Sequence, residues 1–292
     1  KANVVLRRIH EELGVSVSLA DFYENSRVET LAQLIDRTHK TEHAAIPLAA
    51  PSDFYDVSHA QLRLWLLHEH GHAGPAYNRS SILKLRGPVD LTLYRDCLRA
   101  LIEHHESLRT AFVSRSGVPA QVIQPHVDFS LVEDDLTGFA DLDAEVRARV
   151  QEELTHAFDL AAPPLFRVRV LRVDADEVIS IFTIHHIICD ERSIHILHRE
   201  WSALYNSSLR DRGALPPLPV QYKDYAAWNN RLADGANPSS ESHRAFWQRY
   251  LSGELPQTAV PADKERPSTK TYRGDNVSGL LPRALAARDT RG

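Results

Sequence analysis

The side chains of this sequence best suited to chemistry are His185, His186 and Asp190. They lie in the stretch Ile184-His185-His186-Ile187-Ile188-Cys189-Asp190-Glu191-Arg192-Ser193. A neutral imidazole accepts or orients a proton near pH 7, so either histidine could serve an acid–base step. The run before them, Val178-Ile179-Ser180-Ile181-Phe182-Thr183, is β-branched and aromatic and free of Gly and Pro. That composition predicts a strand buried on both faces. Beyond them Ile194, Leu197, Trp201, Leu204 and Tyr205 recur at helical spacing, with Ser193 placed to cap the helix start. A strand therefore delivers the histidines to a turn before a helix. Successive strand residues point to opposite faces, so both rings cannot reach one small reactant. His186, nearer the strand end, is the candidate for a cleft; His185 packs inward against hydrogen-bonding partners. Asp190 fixes the turn through an arginine or the N-terminus of the following helix. On pattern alone, a pair of buried, hydrogen-bonded histidines is an equal reading.

Other chemistries fit this stretch poorly. A metal needs convergent ligands, whereas His185 and His186 diverge and no Cys or Glu partner has suitable spacing. Cys189 sits among apolar turn residues, where nothing evident stabilises a thiolate nucleophile. His68, His70 and His72 cluster beside Gly71 and Gly74 and read as a solvated loop. No metal is expected, and no Gly-rich phosphate loop is present.

The chain that must hold the turn has 292 residues, 43% of them hydrophobic and 25% charged, enough to bury a sizeable core in two units. A net charge of -5 gives no global attraction to nucleic acid or an anionic membrane. No apolar run approaches the roughly 20 residues that cross a bilayer. Two cysteines, Cys97 and Cys189, fit a reducing cytoplasm rather than a disulfide framework. The sequence lacks Met and starts inside a helical pattern, so it reads as a piece of something longer.

Residues 1–40 form a small helical unit. Val5, Ile9 and Leu13 share one face of a helix ending before Gly14, and Ser26 to Glu29 has the form of a capping box for a second. Residues 41–54, with Pro47 and Pro51, are a stiffened linker. A larger domain, 55–292, opens with a helix capped by Ser58 and burying Leu62, Trp65 and Leu66. A strand from Ser81 and a helix from Asp90 follow, then a strand from Ala120 to Gln124. A charged helix spans 141–156, and the alternating run Leu165 to Leu171 pairs as a hairpin with 178–185. A last helix around His243 to Leu251 carries Phe246, Trp247 and Tyr250. Helices and strands are mixed rather than alternating. This predicts an α/β (α+β) layered sandwich with a partly antiparallel sheet.

The turn His185-His186-Ile187-Ile188-Cys189-Asp190 resembles the His-His-x-x-x-Asp signature of condensation domains of nonribosomal peptide synthetases. Three companions stand in family order: Ser58-x-Ala60-Gln61-x-Arg63-x-Trp65, His105-Glu106-x-Leu108-Arg109-Thr110-x-Phe112 and Tyr222-x-Asp224-Tyr225-Ala226-x-Trp228. In front of them, Arg8 to Val15 and Phe22-Tyr23-Glu24-Asn25 resemble the second half of a peptidyl carrier domain. The resemblance implies a two-layer sandwich lobe of the chloramphenicol-acetyltransferase-like type, with the start of a second lobe, behind part of a carrier bundle. It implies amide formation between a donor acyl or peptidyl thioester and an acceptor aminoacyl thioester. Both would hang on 4'-phosphopantetheine, whose attachment serine is expected just before Lys1. Partners would be upstream and downstream carrier domains and an adenylation domain, in antibiotic or siderophore biosynthesis. His186 would be catalytic, with His185 and Asp190 as structural supports and Arg63 and Arg109 as internal ion-pair partners. The family commonly has Gly after the aspartate and Arg where His104 stands. Glu191 and Arg192 in place of that Gly imply a possible acceptor gate, or a module that docks a tailoring enzyme without condensing.

Overall fold

The protein is described as a computed structural model over residues 2–38, 45–71, 74–208, 215–233, 238–256, 263, 264 and 280. Lys1, His72, residues 41–44 of the expected linker and the polar run 286–292 lie outside the described residues. The chain divides into two compact units, Lys1–Pro47 and Leu48–Gly292.

The first unit holds α1 (Ala2–Leu13), α2 (Leu19–Glu24) and α3 (Val28–Arg37). Gly14, at φ +70°, closes α1 by returning its N–H to the His10 carbonyl at 2.9 Å. Only glycine takes that left-handed conformation cheaply. The capping box expected at Ser26 does not form. Extended Arg27 is the N-cap and makes no side-chain bond, which moves the helix start one residue out of the box's register. Val15 alone is buried among this unit's described residues, while Val4, Val5 and Leu13 stay exposed. Three short helices have too little apolar area to do more.

In the second unit the order is β1 (Tyr55–Asp56), α4 (His59–Glu69), β2 (Asn78–Arg86), α5 (Leu91–His104), β3 (Thr110–Arg115) and β4 (Val118–Ile123). There follow β5 (Val132–Asp135), α6 (Leu142–Thr155), β6 (Phe166–Asp174), β7 (Glu177–His185), α7 (Glu191–Ser208), α8 (Tyr222–Arg231) and α9 (Pro238–Tyr250). The main sheet has the order β2-β7-β6-β5, antiparallel except for the parallel β5–β6 pair. A smaller antiparallel sheet runs β1-β4-β3. Its hairpin turns through Ser116 and Gly117, both at positive φ (51° and 84°), the pairing that matches strand twist. Neither β3 nor β5 is foreseen from the sequence, because each is short and lacks a sustained alternation.

The apolar run of β7 is buried on both faces, as its composition predicts. Val178, Phe182 and Ile184 join Leu98, Leu101 and Ile102 of α5 and Ile194, Leu197 and Leu204 of α7 in one core. On the other face Ile181 joins Leu171, Val173 and Leu136, over which α6 lays Leu142, Val146 and Val150. The buried face of α4 departs from expectation. Leu64 and Trp65 go inward with Gln61, while Leu66 is 42% exposed. Gln61 is drawn in by hydrogen bonds rather than hydrophobicity, and that rotates the helix. Tyr225 of α8 and Phe246, Trp247 and Tyr250 of α9 are exposed. No described helix is long and apolar enough to cross a membrane.

Leu171 is fully buried between β7 and α6. Leu171→Ala should therefore destabilise the fold by about 2–5 kcal/mol in urea unfolding. An unchanged midpoint would contradict its place in that cluster.

Candidate functional site

The strand β7 ends on His185, and the next five residues turn into α7. His185 is 2% exposed, and its N–H donates to the Leu165 carbonyl at 2.9 Å. Its ring lies 6.2 Å from Phe158, 6.3 Å from His68 and 6.5 Å from Tyr77, centroid to centroid. The Ile187 N–H donates to Nδ1 at 3.1 Å, so that nitrogen is unprotonated in the bound arrangement. Burial first, then the His68 and His186 rings, push the His185 imidazole down to about 4.

His186 turns the other way and lines a cavity. Its N–H donates to the Tyr77 carbonyl at 2.9 Å, and its Nδ1 lies 2.6 Å from the Cys189 carbonyl. A carbonyl only accepts, so Nδ1 carries the proton and Nε2 of the neutral ring keeps the lone pair. The turn is also held from α4, where Gln61 Nε2 reaches the Ile187 carbonyl at 3.4 Å and Gln121 Oε1 at 3.2 Å. Cys189 is buried, and desolvation pushes its thiol up to about 12, which removes it as a nucleophile.

Asp190 acts through the following helix. Its Oδ1 accepts from the Ser193 N–H and hydroxyl, both at 2.7 Å, while its own N–H donates to Ser193 Oγ at 3.2 Å. Those bonds to Ser193 hold the carboxyl below its ordinary range. Ser193 is therefore not the cap itself. The helix starts at Glu191, and Ser193 is the third residue of a capping box whose cap is Asp190.

Other expected roles are changed. Neither Arg63 nor Arg109 has a carboxylate partner among the described residues. Arg63 is exposed at the cavity wall, and Arg109 donates to the Gln124 carbonyl at 2.7 Å. Both sit beside backbone or solvent, so neither is an internal ion-pair partner. Glu191 pairs with Arg79 of β2. Neither Glu191 nor Arg192 lines the cavity, so in this conformation they do not narrow it.

The cavity measures about 350 Å³. Its walls come from α4, the turn after β7, α7, the segment after α5 and α8. Tyr77, His105 and Tyr222 are among the lining side chains with no role assigned from sequence. The Tyr222 hydroxyl lies 2.9 Å from Ser58 Oγ, and burial raises its pKa. His105 and Tyr222 stood inside the ordered motifs, and that position was the available signal. The third motif also braces the wall: Asp224 is buried, accepting from the Ala49 N–H at 2.8 Å and the Gln221 N–H at 2.7 Å.

The depressed His185 pKa sets a pH dependence. An unfolded histidine titrates near 6.5, above the folded value of about 4. The stability it contributes is complete above about pH 6.5 and is lost as pH falls towards about 4, on the order of 3 kcal/mol in all. His185→Asn, which keeps an acceptor for the Ile187 N–H, should flatten this acid limb of the stability curve. Superimposable slopes for both proteins between pH 6.5 and 4 would refute it.

The Condensation domain family model matches residues 51–291. A plipastatin synthase polypeptide of Bacillus subtilis (strain 168) is 35% identical over 98% of this chain and 11% of its own length. The complex of the X-domain and OxyB from teicoplanin biosynthesis superposes with a TM-score of 0.69 at 26% identity, covering 80% of this chain and 51% of that one. The starter condensation domain of the rhizomide synthetase gives 0.65 at 20%, covering 71% and 50%, a likeness of fold. The chain thus spans about a tenth of the matched plipastatin synthase polypeptide and about half of each structural neighbour. The sandwich lobe is of the chloramphenicol-acetyltransferase-like type, as expected. With this match running across nearly all of its larger unit, the chain belongs to the condensation domain family.

Proposed function

We propose that this domain forms an amide bond between two carrier-tethered substrates, with His186 as the catalytic residue. The observation that carries the reading is the His186 Nδ1 contact to the Cys189 carbonyl, on a residue that lines the cavity. It presents Nε2 as the ring's one acceptor. The acceptor amine attacks the donor thioester carbonyl, a C–N bond forms, and the C–S bond breaks. Nε2 takes the proton that the amine loses, and the leaving thiolate receives it. A thioester is already a good acyl donor, so the site's main task is to hold two ends in line.

A volume of about 350 Å³ falls within the roughly 300–1,000 Å³ common for small-molecule pockets. Leu64, Leu108 and Leu197 supply apolar wall, and His105, Ser193 and Tyr222 supply polar contacts. Phosphopantetheine supplies the thioester link when borne by the carriers, and no residue of this chain is assigned to hold it. In this reading residues 1–40 are the second half of a peptidyl carrier, 41–54 a linker, and 55–292 condensation domain. The partners are carrier and adenylation domains of the same synthetase in the cytoplasm, with an antibiotic or siderophore as the product class.

A second reading is supported by the likeness to an X-domain solved with OxyB. In it the domain docks a tailoring enzyme onto a carrier-bound amino acid and does not condense. The retained His186 geometry favours the first. An assay with both carriers loaded separates them. Wild type should form dipeptidyl carrier, and His186→Ala should lower the turnover by about 10²-fold or more. No product from fully loaded wild type would sink the catalytic reading and leave docking.

A further inference from the structure

A second histidine pair lies at the end of α5. His104 is the last residue of that helix and His105 its C-cap, in extended conformation (φ −105°, ψ 108°). At the end of β7 adjacency sends two rings apart. Here the change from helical to extended backbone brings them together, with centroids 4.9 Å apart and planes at 84°. Glu200 of α7 meets them, its Oε2 lying 2.6 Å from His105 Nε2. One ligand atom from each of the three side chains lies within 4.8 Å of the others. We propose that His104, His105 and Glu200 bind a divalent transition-metal ion, Zn²⁺ by preference, which clips the end of α5 to α7.

The donor set supports this. Two imidazole nitrogens and a carboxylate oxygen make a three-ligand zinc set, with bonds of about 2.0–2.2 Å and a fourth position for water. Ligands at those lengths sit roughly 3.3 Å apart in a tetrahedron, so modest side-chain rotation closes the trio on an ion. His105 and Glu200 side chains are only 14% and 13% exposed, which shields them from competing water. Arg199 lies 3.7 Å from Glu200 Oε1 and leaves Oε2 to the site. The backbone there is braced: Gln221 Nε2 donates to the His104 carbonyl at 3.0 Å, and the His105 N–H to the Leu101 carbonyl at 2.9 Å. His105 also lines the cavity, so an ion here would fix one of its walls. The site does not depend on the amide-forming assignment.

The test is Zn²⁺ titration of the full, chelator-stripped chain against a chromophoric competitor, with melting followed in parallel. Wild type should bind one Zn²⁺ that His104→Ala and Glu200→Gln each weaken by at least about tenfold. Zn²⁺ should raise the melting temperature of wild type and not of the variants. Far-UV circular dichroism establishes that the variants are folded. Should either misfold, His105→Asn takes its place. Equal affinity in wild type and folded variants, or Zn²⁺ held only by other histidines, would overturn the proposal.

Discussion

The carbonyl of Cys189 can only accept, and His186 Nδ1 lies 2.6 Å from it. That contact fixes which ring nitrogen of the neutral imidazole keeps its lone pair, and most of the surrounding structure serves to keep it. The turn cannot shift while the His186 N–H is bonded to Tyr77, Gln61 reaches Ile187, and His185 is packed among Phe158, His68 and Tyr77. Asp190 then starts α7 at a set point, because its carboxylate accepts from both the N–H and the hydroxyl of Ser193. A neutral, desolvated His185 is the cost of this rigidity, felt as acid sensitivity rather than as chemistry.

Much of this was legible in the sequence, for local reasons. The β7 run and its hairpin partner β6 announce themselves by burial on both faces and by alternation, and Ser58 with Gln61 forms the cap its motif implies. Opposed side-chain directions on a strand were enough to send His185 inward and His186 to the cavity. What escaped was set by partners distant in the chain. Leu66 gave way to Leu64 because Gln61 is pulled towards Gln121 and Ile187. Arg109 took a carbonyl instead of a carboxylate, a choice that depends on where β4 ends. Glu191 was drawn outward by Arg79, 112 residues away. The grouping of His104 and His105 with Glu200, 95 residues from His105, has no sequence spacing that would reveal it.

Membership of the condensation family and the orientation of one histidine are separate facts that point the same way. The family supplies the sandwich and the order of its motifs. The orientation comes from this chain's own bonds. A docking module related to the X-domain needs the first and not the second, which makes the ring's protonation pattern the informative quantity.

That pattern is directly measurable. Long-range proton–nitrogen correlation spectra of the chain labelled with ¹⁵N-histidine, at neutral pH, report which nitrogen of each of the 16 histidines bears the proton. Loss of one signal set in His186→Ala assigns the ring. The expected result is a proton on Nδ1 of His186. A neutral ring with its proton on Nε2 would contradict it.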